Sequence, residues 1–81
     1  MQDCVLMDDN AKEDFLKKLG LRIAKLRANL KLTQNELGLR CDKDKQNINR
    51  LEKGKINPSV YYLKQISEAL EVSISELLDF K

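Results

Sequence analysis

The apolar residues of this chain fall in helical rows. Leu16, Leu19, Ile23, Leu26 and Leu30 recur at alternating steps of three and four, with lysines and arginines between them. That spacing returns to one face of a helix at every turn, so it predicts a first helix from about Asn10 to Leu30 with a single buried stripe. Asn10 is the expected cap, with Glu13 in the capping-box position three residues on. Thr33-Gln34-Asn35-Glu36 has the T-x-x-E form in which two side chains each satisfy the other's backbone N–H, and it predicts a short second helix carrying Leu37 and Cys41 inward. Asp44 caps a third helix, which ends at Lys53 because Gly54 supplies the left-handed residue that closes helices. Pro58 disfavours helix at Asn57, and Ser59 opens a fourth helix with Val60, Leu63, Ile66 and Leu70 as its stripe. Ser73-Ile74-Ser75-Glu76 is another capping box, starting a short fifth helix that turns Ile74, Leu77 and Leu78 inward. No segment alternates with period two over strand length, so the expected fold is an all-α, compact five-helix domain.

Length and composition narrow the function classes. Eighty-one residues make one domain, which buries only a little over about 60% of its unfolded surface and leaves no room for a large catalytic cleft. Residues 1–9 read as a flexible acidic arm and residues 10–81 as the domain. No apolar run approaches the roughly 20 residues that span a bilayer, and the acidic N-terminus lacks the charge and apolar length of a secretory signal. The expected location is cytoplasmic. Cys4 and Cys41 stand far apart without a C-x-x-C, so they read as free thiols, and Cys41, four residues after Leu37, as a small buried hydrophobe. Histidine is absent, which removes the usual general base and the commonest metal ligand. The carboxylates are scattered, without a marked acid–base pair. An enzyme is not expected, nor a metal, cofactor, small-molecule ligand or membrane partner.

Charge sharpens the picture in the middle of the chain. The overall net charge is +2, but residues 1–14 hold one lysine against five acids, whereas residues 15–58 hold twelve Lys and Arg against four acids. A basic centre of this kind suits a polyanion, although a charged stretch is more often simply solvated. The third helix adds detail. At about 100° per residue, Lys45, Asn49, Lys53, Gln46 and Arg50 share one arc of about 140°, while Ile48 and Leu51 lie on the far side. The polar face is therefore made of Lys, Gln, Asn and Arg, with no acid. Amides match the donor–acceptor edge of adenine, Arg and Lys match the two acceptors of guanine, and a helix fits the major groove of B-DNA. A short helix, a turn at Cys41 to Lys43 and a second helix of similar size form a helix-turn-helix over residues 33–53, whose second element enters the groove. Gln34, at the first turn of the second helix, would meet phosphate at the positive helix end, and Lys53, Lys55 and Asn57 follow the third helix in a loop along the strand.

The run LTQNELGLRCDKDKQNINRLEKGKINPS, followed by YYLKQISEALEVSISELL, resembles the lambda-repressor-like, Cro-type helix-turn-helix domain over roughly residues 14–79. T-Q-x-E-L, I-x-R-L-E-x-G-K-x-x-P and A-L-x-V-S-x-x-E-L-L stand in the family's order and spacing. The resemblance implies a five-helix DNA-binding domain of the kind found in transcription regulators. It assigns Lys45, Gln46, Asn49 and Arg50 to base or groove contacts, Gln34 to a phosphate contact that also braces the recognition helix, and Lys53 and Lys55 to backbone contacts. It further implies a partly buried structural salt bridge between Arg27 and Glu52. Three positions depart from the family: Gly38 replaces Ala, Asp42 replaces the Gly or Asn of the turn, and Lys43 replaces an apolar residue that plugs the core.

The expected function is thus sequence-specific binding of double-stranded DNA by a transcriptional regulator, a repressor or controller. One short helix reads few base pairs, so a homodimer on a two-fold-symmetric site is expected. The alternative is a protein- or ribosome-interaction module that reuses the same fold.

Overall fold

The structure, a computed structural model, describes residues 9–80. It consists of α1 (Asp9–Asn29), α2 (Gln34–Cys41), α3 (Lys45–Glu52), α4 (Val60–Ala69) and α5 (Ile74–Leu77), with no strand among the described residues. The expected acidic arm and Cys4 lie outside the described residues, apart from Asp9, which already belongs to α1.

Four of the five expected N-caps form as the sequence suggests. The Thr33 and Ser73 side chains accept from the N–H groups of Glu36 and Glu76 at 3.0 Å, and both glutamates reach back to complete capping boxes. Asp44 accepts from Asn47 N–H at 2.7 Å, and Ser59 from Tyr62 N–H at 3.0 Å. Asn10 is the exception. It lies within α1, which is already under way at Asp9, so its side chain and Glu13 do not form the expected box.

The first four helices share one closure. The N–H groups of Leu32, Lys43, Lys55 and Val72 each bond the carbonyl five residues back, on Arg27, Gly38, Arg50 and Ser67. This is the long bond of a Schellman ending, and it needs a left-handed residue just before the donor. Gly54 supplies it after α3 with φ 72°; Lys31, Asp42 and Glu71 supply it after α1, α2 and α4 with φ of 60° to 64°.

Leu19, Ile23, Leu37, Ile48, Leu51, Ile66, Leu70 and Leu77 form the fully buried centre, with Cys41, Tyr62 and Ala69 around them. α3 packs against α2 and α1, α4 covers α2, and α5 closes on α4 and α1. Arginines pin the joints. Arg22 donates to the Glu76 carbonyl at 2.8 Å, tying α1 to α5, and Arg40 donates to the Ala69 carbonyl at 2.9 Å, tying α2 to α4. Phe15 of α1 meets Phe80 with ring centres 5.3 Å apart.

Three residues expected in the buried stripes are exposed. Leu30 sits past the end of α1, where the chain turns away from the core. Val60 is 77% exposed because the buried face of α4 is phased on Tyr62, Ile66 and Ala69, which places its first residue outward. Leu78 lies one residue beyond the single turn of α5 and only Leu77 is buried there.

Candidate nucleic-acid interface

α3 is anchored on one side and open on the other. Ile48 and Leu51 are 0% and 1% exposed, whereas Lys45, Gln46 and Arg50 are exposed and Asn49 is half-buried. Gln34, Lys45, Gln46, Asn49 and Arg50 line one shallow cleft, which brings the four expected base contacts together with one expected phosphate contact. No acid lines it. Lys53 and Lys55 belong instead to a groove shared with Lys17, Leu21 and Glu52, beyond the end of α3, and Asn57 lies further still, beside Lys12 and Phe15. The loop that carries the two lysines is tied back to the recognition helix: Lys53 N–H bonds the Asn49 carbonyl at 3.0 Å and Lys55 N–H the Arg50 carbonyl at 2.9 Å.

Beneath the cleft runs a polar chain. Arg27 Nε donates to Glu52 Oε2 at 2.6 Å and its Nη2 to Glu52 Oε1 at 3.0 Å, a two-pronged pair between α1 and α3. The bond to the Glu52 carboxylate raises the Arg27 pKa above its ordinary value. Arg27 Nη1 also donates to the Leu32 carbonyl at 2.8 Å, which fixes the chain leading into α2. Gln34 Nε2 then donates to Glu52 Oε1 at 3.0 Å, and Asn49 Nδ2 donates to Gln34 Oε1 at 3.3 Å. The implied Arg27–Glu52 bridge is present and partly buried, and Gln34 links it to Asn49 of α3.

The turn before α3 is tight. A methyl group on Gly38 would come within 2.3 Å of the Lys43 carbonyl oxygen, so the bare glycine is what lets the turn close onto α2. Lys43 does not plug the core; its ammonium sits 4.8 Å from the centre of the Tyr62 ring, and Tyr62, 8% exposed, fills the space below. The Tyr62 hydroxyl donates to Asn47 Oδ1, bracing α3 from α4. Burial pushes the Tyr62 phenol up to about 12. The sequence gives no sign of this contact, because Asn47 belongs to neither the apolar stripe nor the reading arc. Cys41 is buried, with its thiol donating to the Leu37 carbonyl at 3.3 Å and its pKa raised by burial, so it serves as packing.

A helix-turn-helix whose second element shows an acid-free amide and cationic face defines a nucleic-acid-binding module. The chain belongs to the helix-turn-helix family, whose match covers residues 23–77. An uncharacterised HTH-type transcriptional regulator, y4dJ of Sinorhizobium fredii, is 38% identical over 65 residues, covering 80% of this chain and 84% of the relative. Among solved structures, the restriction-modification controller protein C.AhdI from Aeromonas hydrophila superposes with a TM-score of 0.75 at 29% identity, covering 76% of this chain and 94% of its own. The clp gene regulator ClgR from Corynebacterium glutamicum gives 0.77 at 25% identity, with 79% and 82% covered. DNA-binding transcriptional regulation is the function this membership carries.

Proposed function

We propose that the protein is a sequence-specific regulator that lays α3 in the major groove of double-stranded DNA as a symmetric homodimer, acting as a repressor or controller in the cytoplasm by binding and not by catalysis. The observation that carries this reading is the single cleft lined by Gln34, Lys45, Gln46, Asn49 and Arg50 on a helix whose opposite face is wholly buried. Lys45, Gln46, Asn49 and Arg50 read base edges. Gln34, Lys53, Lys55 and Asn57 hold phosphates and set the register.

The division of labour is testable. Selection from a random duplex library is expected to enrich one two-fold-symmetric motif. On that motif, Gln46→Ala relaxes preference at one or two base pairs, while Lys53→Ala weakens binding about equally on all duplexes. Equal loss of discrimination from both changes contradicts the assignment. Failure to enrich any motif, with retained binding to protein or ribosomal partners, favours an interaction module on the same fold.

A further inference from the structure

We infer that Lys17 of α1 is an additional phosphate-contacting residue, extending the DNA surface from the recognition helix onto the first helix. The inference rests on the DNA-binding reading above. Nothing in the helical pattern marks Lys17, which sits among the lysines of a long amphipathic helix. The packing singles it out. The Gly54 backbone, between Lys53 and Lys55, lies against Lys17 so closely that a methyl group on Gly54 would come within 2.9 Å of both Lys17 Cα and Lys17 N. Lys17 therefore starts from backbone packed against the loop of Lys53 and Lys55, and the three lysines line one groove together with the exposed Leu21.

Three lysines that line one groove from α1 and the loop concentrate positive charge on this side of the molecule, and no ion pair among the described residues engages them. The ion pairs of α1 go elsewhere: Lys18 pairs with Asp14 at 3.1 Å and Arg27 with Glu52. Glu52, which also lines the groove, is turned inward toward Arg27 and is only 8% exposed. Glu13, one turn before Lys17 on α1, is exposed. A phosphate strand supplies the missing counter-charge. Since the Lys53–Lys55 loop is fastened to the recognition helix by its backbone, placing α3 in the groove brings that loop, and Lys17 with it, to the strand beyond the bases that α3 reads.

The test uses the full chain and two duplexes of equal length, one carrying the selected motif and one of random sequence, with affinity measured across a salt series. Lys17→Ala is expected to weaken binding several-fold on both duplexes at low salt. The slope of log affinity against log salt should become shallower by about 0.9 per subunit, the signature of one lost phosphate contact. Glu13→Gln, which removes the neighbouring acid, is expected to strengthen binding on both. Unchanged slope and affinity for Lys17→Ala, or a loss confined to the motif, overturns the proposal. Wild-type protein that shows no salt-dependent duplex binding overturns the underlying DNA reading instead.

Discussion

At the scale of single residues, two buried polar groups matter most. Glu52 is almost wholly covered and receives donors from both Arg27 and Gln34, so removing the arginine strands a carboxylate away from water. Arg27→Ala is expected to destabilise the fold by about 3 kcal/mol in urea unfolding at neutral pH. Arg27→Lys should recover less than half of that, because an ammonium cannot make the two-pronged contact. Tyr62 gives a pH signature. Its folded pKa, about 12, lies above the value of about 10 in an unfolded chain, so the folded state holds the proton more tightly. Stability from this group is complete below pH about 10 and is lost as pH rises towards 12. Tyr62→Phe should flatten that alkaline decline, as followed by unfolding midpoints across the window, while a mutant that keeps the full decline contradicts the assignment.

At the scale of elements, what was legible in the sequence was local chemistry. Thr33, Asp44, Ser59 and Ser73 announce helix starts because a capping side chain acts on backbone within three residues of itself. The polar arc of α3 was legible for the same reason, since one helix face is fixed by the 3.6-residue repeat. The phase of α4 was not, because Tyr62 reads as polar or apolar depending on whether its hydroxyl finds a partner, and that partner, Asn47, comes from another helix. Lys17 and the close seat of Gly54 were also hidden, because contact between α1 and the loop is tertiary. The helix endings carry a further consequence. Lys31 adopts φ 60° after α1, a conformation that costs a side-chain-bearing residue about 1–2 kcal/mol, less the greater flexibility of an unfolded glycine. Lys31→Gly is therefore expected to stabilise by about 0.5–1 kcal/mol, visible as a rise of a few degrees in Tm. A fall in Tm would mean that Lys31 contributes something beyond its backbone conformation.

At the scale of the whole molecule, α3 is eight residues long and offers four side chains to its open cleft, which on the proposed reading is too few to define a rare site alone. Two copies on a two-fold site, half-sites about one helical turn apart, would double that information. Sedimentation at DNA-binding concentrations is expected to give a mass near twice 9.4 kDa, or binding to a two-fold motif that is cooperative in protein. One subunit saturating a single half-site with full affinity would contradict the dimer. The chain that runs from Arg27 through Glu52 and Gln34 to Asn49 bears on how such a site is found. Because Asn49 donates to Gln34 and Gln34 donates to Glu52, the direction of these two amides is set within the folded chain. Side chains that must be frozen on binding cost about 0.5–1.5 kcal/mol each, and for Asn49 and Gln34 that ordering is completed during folding. On the proposed reading, Asn49 then meets DNA with its amide already held, so a mismatched base opposite it would have to break the bond to Gln34 before the amide could turn over to accommodate it.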